Sequence, residues 1–133
     1  MARIVLDTDV VSYHRAGRLP AAFAHQIAVN DNSIAFATAG ELWKGALVAR
    51  WGSARRGGLD LWLDEATIIP AGLVVARIWG AITAGAQRRG RPRPIHDTWI
   101  AACCIEGRLP LLTLNRRDFA DFAEYDGLVL LGP

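Results

Sequence analysis

Residues 3–9 read Arg3-Ile4-Val5-Leu6-Asp7-Thr8-Asp9, a short apolar run that ends abruptly in two carboxylates. Such a run is typical of a buried parallel strand, whereas acidic residues at its end are costly to bury unless they are paired or bind a metal. Ligand sites in open α/β sheets lie just beyond the carboxyl ends of the strands. We therefore expect a first strand that delivers Asp7 and Asp9 to a functional site.

Further apolar runs, each bounded by turn or cap residues, alternate with helical patterns along the rest of the chain. The predicted strands are residues 3–6, 33–37, 67–69, 111–114 and 128–131, and the predicted helices are residues 20–29, 38–51, 58–65, 71–89, 96–107 and 116–123. Strands that alternate with helices predict an α/β protein. The expected architecture is a three-layer sandwich with a central, mainly parallel sheet.

Size and composition indicate a single well-filled domain over residues 1–133, because 52% of the 133 residues are hydrophobic and five are Trp. The net charge of +2 does not by itself indicate a nucleic-acid partner. Cys103 and Cys104 are adjacent within an apolar helical pattern, which predicts buried free thiols and suits a reducing cytosol. The chain shows no signal peptide and no apolar stretch of the ~20 residues that a membrane span needs. We expect a soluble, cytoplasmic protein.

Three more acids, Glu41, Asp97 and Asp118, stand at strand-to-helix or helix-start positions. Each has an ordinary structural interpretation: Thr38-x-x-Glu41 is a capping box, Asn115-x-x-Asp118 is a looser one, and Asp97 falls in the first turn of a helix. Asp9 is likewise a candidate cap for the helix after the first strand.

Together, the acids favour a different interpretation. Parallel strands would bring them to one edge of the sheet, where they repel one another unless a cation neutralises them. Hard oxygen ligands suit Mg²⁺ or Mn²⁺, and such a site is equipped for phosphodiester hydrolysis. Glu41 or Asp118 is the alternative candidate for positioning the attacking water. His96 is expected to orient or pack, and the single lysine, Lys44, with no Gly-rich loop, argues against nucleoside triphosphate chemistry.

Four ordered segments carry a resemblance to a known family. They are Val5-Leu6-Asp7-Thr8-Asp9-Val10-Val11-Ser12, Thr38-Ala39-Gly40-Glu41-Leu42, His96-Asp97-Thr98-Trp99-Ile100-Ala101-Ala102 and Leu112-Thr113-Leu114-Asn115-Arg116-Arg117-Asp118-Phe119. In order, spacing and total length, the chain resembles a PIN-domain ribonuclease of the VapC type, the toxin of a type II toxin–antitoxin system. Any one segment is weak, but the ordered set is fairly specific and spans essentially the whole chain.

The resemblance implies a five-stranded parallel sheet and a metal-dependent endoribonuclease that forms a homodimer and is inhibited by a small cognate antitoxin. The implied ligands of Mg²⁺ or Mn²⁺ are Asp7, Glu41, Asp97 and Asp118, and the implied supporting residues are Thr8, Asp9, Thr113 and Asn115. Asp9 departs from the family, which often has Asn or Ser there, and its extra charge could tighten metal binding or alter its geometry.

Two surfaces are predicted for partners. Fourteen of the fifteen basic residues are arginines, which pair with phosphate bidentately; the candidates for RNA contact are Arg116, Arg117, Arg91 and Arg93, with a merely solvated loop as the alternative for residues 88–94. The helix at residues 38–51 is apolar almost all round, so it is either a core helix or a subunit interface. The candidates for antitoxin or dimer contact are Leu42, Trp43, Leu47 and Trp51.

Two other functions remain open from the residues alone. Asp7-x-Asp9 after an apolar strand also resembles the nucleophile motif of haloacid-dehalogenase-type phosphatases, in which Asp7 would form an aspartyl-phosphate. That family needs a downstream lysine and a late acidic pair, whereas Lys44 lies in the wrong region. The other alternative is a non-catalytic, PIN-like binding module, which would require a broken acidic set.

Overall fold

The computed structural model describes residues 2–132. Its strands are β1 (Arg3–Leu6), β2 (Asp31–Ala35), β3 (Ile68–Ile69) and β4 (Leu111–Leu112). Its helices are α1 (Thr8–Arg15), α2 (Ala21–Val29), α3 (Phe36–Val48), α4 (Ser53–Glu65), α5 (Leu73–Arg88), α6 (Ile95–Gly107) and α7 (Arg116–Tyr125). The predicted alternation of strands and helices is confirmed.

All strands of the sheet run parallel, in the order β3-β2-β1-β4. Val5 pairs with Ser33 of β2 on one side and with Leu111 of β4 on the other. The carboxyl end of β1, where Asp7 follows, therefore lies in the middle of one sheet edge. This is the position at which ligand sites form in such sheets.

The sheet has four strands, so the prediction of five was wrong. The segment predicted as the fifth strand, residues 128–131, makes a single parallel bridge between Leu130 and Leu111. It is held by the Leu111 N–H, which donates to Val129 O at 2.9 Å, and by the Leu131 N–H, which donates to Leu111 O at 2.8 Å. Because β4 itself is only two residues long, it offers too little edge for a full strand to pair.

Several predicted boundaries were also wrong. The strand β2 begins and ends two residues before its prediction, and α3 consequently begins at Phe36 with Ala35 as its N-cap. Thr38 thus lies inside the helix, and the capping box with Glu41 does not form. The helix α4 begins at Ser53, five residues before its prediction, and contains Gly57 and Gly58, so tertiary packing overrides their weak helix propensity.

Alternate residues of the strands pack on opposite faces of the sheet, as the two-residue period requires. Val5, with Ala35 and Leu111, packs against buried side chains of α5, α6 and α7. Ile4 and Leu6 pack on the other face against buried side chains of α1, α3 and α4. The result is the predicted three-layer arrangement, with a core on each side of the sheet.

The most buried helix is α6, and it contains both cysteines as buried free thiols, as expected. Burial raises the pKa of Cys103 to about 11, so this thiol is protonated and inert at neutral pH. Within residues 2–132, every helix is too short or too polar to cross a membrane.

Candidate active site

Asp7 is the N-cap of α1 and is buried at the end of β1. Its Oδ1 accepts a hydrogen bond from the Thr8 N–H at 2.8 Å, and its Oδ2 accepts one from Thr113 Oγ1 at 2.7 Å. Thr113 Oγ1 in turn accepts from the Asn115 N–H at 3.0 Å. Asp7, and not Asp9, therefore caps the helix, and the segment after β4 fixes its orientation.

Thr8 connects this strand end to the helix that carries Glu41. Thr8 Oγ1 donates to Thr38 Oγ1 at 3.1 Å, and Thr38 is completely buried within α3. Glu41 lies one turn beyond Thr38 and is half-buried. The hydrogen bond between Thr8 and Thr38 thus connects α1 to α3 close to Asp7 and Glu41.

Asp97 lies in the first turn of α6, as predicted, and is buried. Its pKa is raised to about 6, chiefly by burial and also by the carboxylates of Asp7, Asp118 and Glu41, whereas His96 acts to lower it. His96 Nε2 lies 3.0 Å from Asp97 Oδ1, which matches the orienting role expected of this histidine. Because charge repulsion from three other acids reaches Asp97, the fold brings the four predicted acids into one electrostatic cluster.

Asp9 adds a fifth carboxyl group to this region. Its Oδ1 accepts from the Val10 N–H at 2.7 Å, whereas its Oδ2 is buried without a hydrogen-bond partner among residues 2–132. Burial and the neighbouring charge of Asp7 raise the pKa of Asp9 to about 7. A buried, unsatisfied carboxylate oxygen is costly, and a bound cation would relieve that cost.

The donor chemistry of the cluster fits a hard divalent cation. Its members offer carboxylate and hydroxyl oxygens, which Mg²⁺ and Mn²⁺ prefer, and in the described part of the chain no arginine or lysine forms a salt bridge with them. Within the same residues, no three His, Cys, Asp or Glu side chains are close enough together to hold an ion as they stand. The acids are therefore near one another in charge but not drawn together into a closed cage.

The four predicted RNA-contacting arginines are not equivalent. Arg93 is 6% exposed and places Nη1 2.6 Å from Asp126 Oδ2, with its guanidinium 4.1 Å from the centroid of the Phe122 ring. Arg93 also forms a 3.4 Å salt bridge with Asp121. The prediction that Arg93 contacts RNA was therefore wrong, because its hydrogen-bonding groups face carboxylates of α7 and the residues just after it.

The other three candidates are exposed. Arg91 forms a 3.4 Å salt bridge with Asp121 while its side chain remains 62% exposed. Arg116 and Arg117 occupy the first turn of α7, directly before Asp118, and Arg116 Nη1 donates to Leu131 O at 3.0 Å. Asn115 precedes them as the N-cap, but its side chain makes no capping hydrogen bond, so the second predicted capping box is absent.

The residues predicted to contact an antitoxin or a second protomer also divide into buried and exposed ones. Leu42 is buried in the core, so its assignment to an antitoxin or dimer surface was wrong. Trp43 and Trp51 are half-buried, and only Leu47 is exposed. Val48, which was not among the four predicted contact residues, is 74% exposed beside it. The helix is thus a core helix along one side and an open apolar surface at its carboxyl end.

Sequence reasoning also missed Arg15, which lines a cavity together with Thr8 and Glu41. Thr8, Ser12 and Arg15 stand four and three residues apart, which places them on one face of a helix. That spacing could have identified Arg15 if α1 had been given bounds from the sequence.

Comparison with known proteins identifies the family and similar folds. The sequence profile of the PIN domain family matches residues 4–125, whereas no curated protein gives a significant sequence match. The chain is similar in structure to VapBC-1 from nontypeable Haemophilus influenzae, with 21% identity, 98% of this chain and 97% of that chain covered, and a TM-score of 0.81. It is similar to VapBC2 from Rickettsia felis bound to a DNA fragment from their promoter (20% identity, 98% of each chain, TM-score 0.80). It is also similar to FitAcB from Neisseria gonorrhoeae (22% identity, 100% of this chain and 98% of that chain, TM-score 0.77). Because the family profile spans nearly the whole chain, the protein belongs to the PIN domain family.

Proposed function

We propose that this protein is a metal-dependent endoribonuclease, the VapC-like toxin of a type II toxin–antitoxin pair. The observation that carries the proposal is the gathering of several carboxylates around the buried Asp97, for which His96 is the only basic partner among residues 2–132. Burial first and then the neighbouring carboxylates raise the pKa of Asp97. Such uncompensated charge in a cleft is a mark of function. Membership of the PIN domain family supports the same reaction class, and it leaves the phosphatase alternative without support.

In this proposal the metal ligands are Asp7, Asp97, Asp118 and Glu41. Bound Mg²⁺ or Mn²⁺ would lower the pKa of a water and neutralise charge that develops on the phosphoryl oxygen. Thr113 holds Asp7 in one orientation through the 2.7 Å hydrogen bond. In the alternative role, the half-buried Glu41 is not a ligand but accepts a proton from the attacking water. The water oxygen then bonds to phosphorus, the bond from phosphorus to the leaving ribose oxygen breaks, and that oxygen takes a proton from solvent.

The proposed partners are a cognate antitoxin and a second copy of the chain. The similar structures from Haemophilus influenzae and Rickettsia felis are of VapBC proteins, and this chain is also similar to VapBC-5 from Mycobacterium tuberculosis, a member of the VapBC family of toxin–antitoxin systems. Leu47 and Val48 form an exposed apolar pair at the end of α3, which fits contact with either partner. We place this activity in the cytoplasm, where RNA is available.

The experiment that tests the proposal is cleavage of RNA by the purified chain without antitoxin. Total RNA, intact transfer RNA and ribosomes are incubated with Mg²⁺ or Mn²⁺, and then with EDTA. Wild type is expected to release discrete fragments that disappear with EDTA and with Asp97→Asn. The loss should be roughly 100-fold or more, because several kcal/mol of transition-state stabilisation disappear. Asp60→Asn, at an exposed position of α4, is the matched control and should cleave normally.

Two outcomes would contradict the proposal. Fragments that persist with both EDTA and Asp97→Asn would come from a different nuclease. A folded wild type that binds Mn²⁺ by calorimetry but leaves all three RNA preparations intact would instead favour the non-catalytic binding module.

A further inference from the structure

A cavity of about 220 Å³ lies between α1, α3 and α4, next to the acidic cluster. Glu41 and Thr8 belong to its lining and also to the cluster, so the two spaces share a wall. The rest of the lining comes from Ser12, Arg15, Leu42, Gly45, Ala46, Trp51 and Leu59. The cavity therefore adjoins the proposed reaction site on one side and is otherwise walled by a cation, an indole and small or apolar side chains.

Arg15 is the only basic residue of this lining. It is half-buried, and within residues 2–132 it forms no salt bridge. Its Nη2 would lie 3.9 Å from a Cβ atom built on Gly58, so the guanidinium packs closely against the glycine of α4. A half-buried guanidinium without a carboxylate partner has hydrogen bonds left for an anion.

The position of Arg15 relative to the acids follows from the helix. Thr8 and Arg15 are seven residues apart on α1, and a helix rises about 1.5 Å per residue, which separates them by about 10 Å along the axis. Because seven residues are close to two full turns, both side chains project from the same face. The Arg15 side chain thus projects from the same face of α1 as Thr8, about two turns further from the acidic cluster.

Trp51 provides a flat apolar surface in the same lining. One face of its ring is covered by Arg55, whose guanidinium carbon lies 3.8 Å from the ring centroid, so a base would stack on the opposite face. Leu59 is completely buried and closes the far wall. Aromatic surfaces of this kind accept any nucleobase, because every base has a π-face.

We propose that this cavity is a nucleotide subsite that holds the nucleotide next to the scissile phosphate of a single-stranded RNA. Arg15 pairs with the phosphate of that nucleotide, and its base lies against Trp51 and Leu59. The inference rests on the proposed function. A strand whose scissile phosphate lies at the acids must carry its next nucleotide into an adjoining space, and the cavity that shares Glu41 and Thr8 is such a space. Bidentate pairing with phosphate is the interaction that a free guanidinium is best suited to make.

The first test measures RNA binding in an Asp97→Asn background, so that the probe is not cut. The probe is a short fluorescent single-stranded RNA of mixed sequence, titrated at several salt concentrations. Arg15→Ala should weaken binding roughly tenfold, as expected when one charge-assisted hydrogen bond is removed. It should also flatten the salt dependence by about 0.7, the value for one phosphate of a single strand. Arg18→Ala is the control, because Arg18 is exposed three residues further on and outside the lining.

The second test fills the cavity without touching its charge. A Cβ atom at Gly45 meets no atom within 4 Å, so Gly45→Leu can be accommodated and narrows the space. Ala49→Leu, at an exposed position one turn further along the chain, is the matched control. Gly45→Leu should weaken binding of the RNA probe while Ala49→Leu leaves it unchanged, and thermal melting confirms that both variants are folded.

Each alternative result has a definite meaning. Equal losses for Arg15→Ala and Arg18→Ala would show general surface charge and overturn the subsite, as would unchanged binding by a folded Gly45→Leu. If Arg15→Ala keeps RNA binding but loses inhibition by the antitoxin, the cavity holds a protein side chain and the inference is wrong. If the parent protein cleaves RNA and Arg15→Ala binds and cleaves equally well, the inference fails while the proposed function stands. If neither the parent protein nor Arg15→Ala binds or cleaves RNA, both the inference and the proposed function fail.

Discussion

The protein contains two groups of buried or half-buried carboxylates that differ in their partners. Asp121 and Asp126 face Arg93, whose side chain is 6% exposed. Within the described residues, Asp7, Asp9 and Asp97 form no salt bridge with arginine or lysine, and of the three only Asp97 has a basic partner, the exposed His96. The first group is neutralised from within the chain, whereas the second is not.

This difference separates a structural ion pair from a candidate reaction site. Arg93 precedes α6, and its two partners stand on α7 and at its C-cap, so the pairing joins the two elements that carry Asp97 and Asp118. In the second group, burial and mutual repulsion raise the pKa values of Asp9 and Asp97. Carboxylates kept in that condition favour any cation that binds among them. Compensated acids stabilise the fold, and uncompensated acids are available for chemistry.

The largest expected effect is a loss of stability when the buried ion pair of Arg93 and Asp126 is removed. Arg93→Met keeps the bulk over Phe122 but leaves Asp126 buried without its 2.6 Å partner. Loss of one member of a buried pair costs about 3 kcal/mol, so urea unfolding should show a free energy of unfolding lower by about that amount. Arg91→Met, at a side chain that is 62% exposed, is the control and should change little. If the two variants lose equal stability, burial of the ion pair does not determine its contribution, and the prediction is wrong.

A smaller effect is expected when the hydrogen bond that orients Asp7 is removed. Thr113→Val keeps the shape of the side chain but removes the donor to Asp7 Oδ2. Groups that orient a metal ligand are worth about 10–100-fold in affinity, so Mn²⁺ binding measured by calorimetry should weaken by at least about tenfold. Thr83→Val is the control, because Thr83 Oγ1 is buried without a hydrogen-bond partner within residues 2–132. Unchanged Mn²⁺ affinity in Thr113→Val would exclude Asp7 as a ligand.

The acids without a basic partner should also make the stability of the protein depend on pH. In the folded, EDTA-treated protein the pKa values of Asp9 and Asp97 are raised from 3.8 to about 7 and about 6. Unfolding therefore releases protons between pH 4 and 7, and the melting temperature should fall as the pH rises through that window. Asp9→Asn should remove much of the fall above pH 6, and Mg²⁺ should stabilise wild type more at pH 8 than at pH 5. A melting temperature that rises across the window would contradict these shifts.

The smallest expected effect concerns the exposed arginines that, unlike Arg93, are not paired with acids. Arg116→Ala combined with Arg117→Ala should weaken RNA binding and flatten its salt dependence by about 0.7 for each phosphate that the variant no longer binds. The measurement is the same titration with a fluorescent single-stranded RNA. The control is Arg77→Ala, at an exposed position of α5. An unchanged salt dependence would remove Arg116 and Arg117 from the path of the RNA.

Much of the candidate site was predictable from residue order, because the relevant acids follow strands or begin helices. Asp7 after β1 and Asp97 in the first turn of α6 were both placed correctly from local pattern. The assignments that failed depend on neighbours remote in sequence. Arg93 was predicted to contact RNA because its partner Asp126 lies 33 residues away in the sequence. For the helix of Leu42 the sequence left a core helix and an interface open, and the structure places Leu42 in the core with residues of the sheet and α4.

The sequence by itself determined a parallel α/β fold and an acidic sheet edge, because hydrophobic period and helix or strand ends are local properties of the chain. Only the tertiary structure decided which charges are neutralised, that the sheet stops at four strands, and that Arg15 shares a cavity with Glu41. These depend on which distant segments meet, and a charge or a strand edge has no fixed role until its partner is in place.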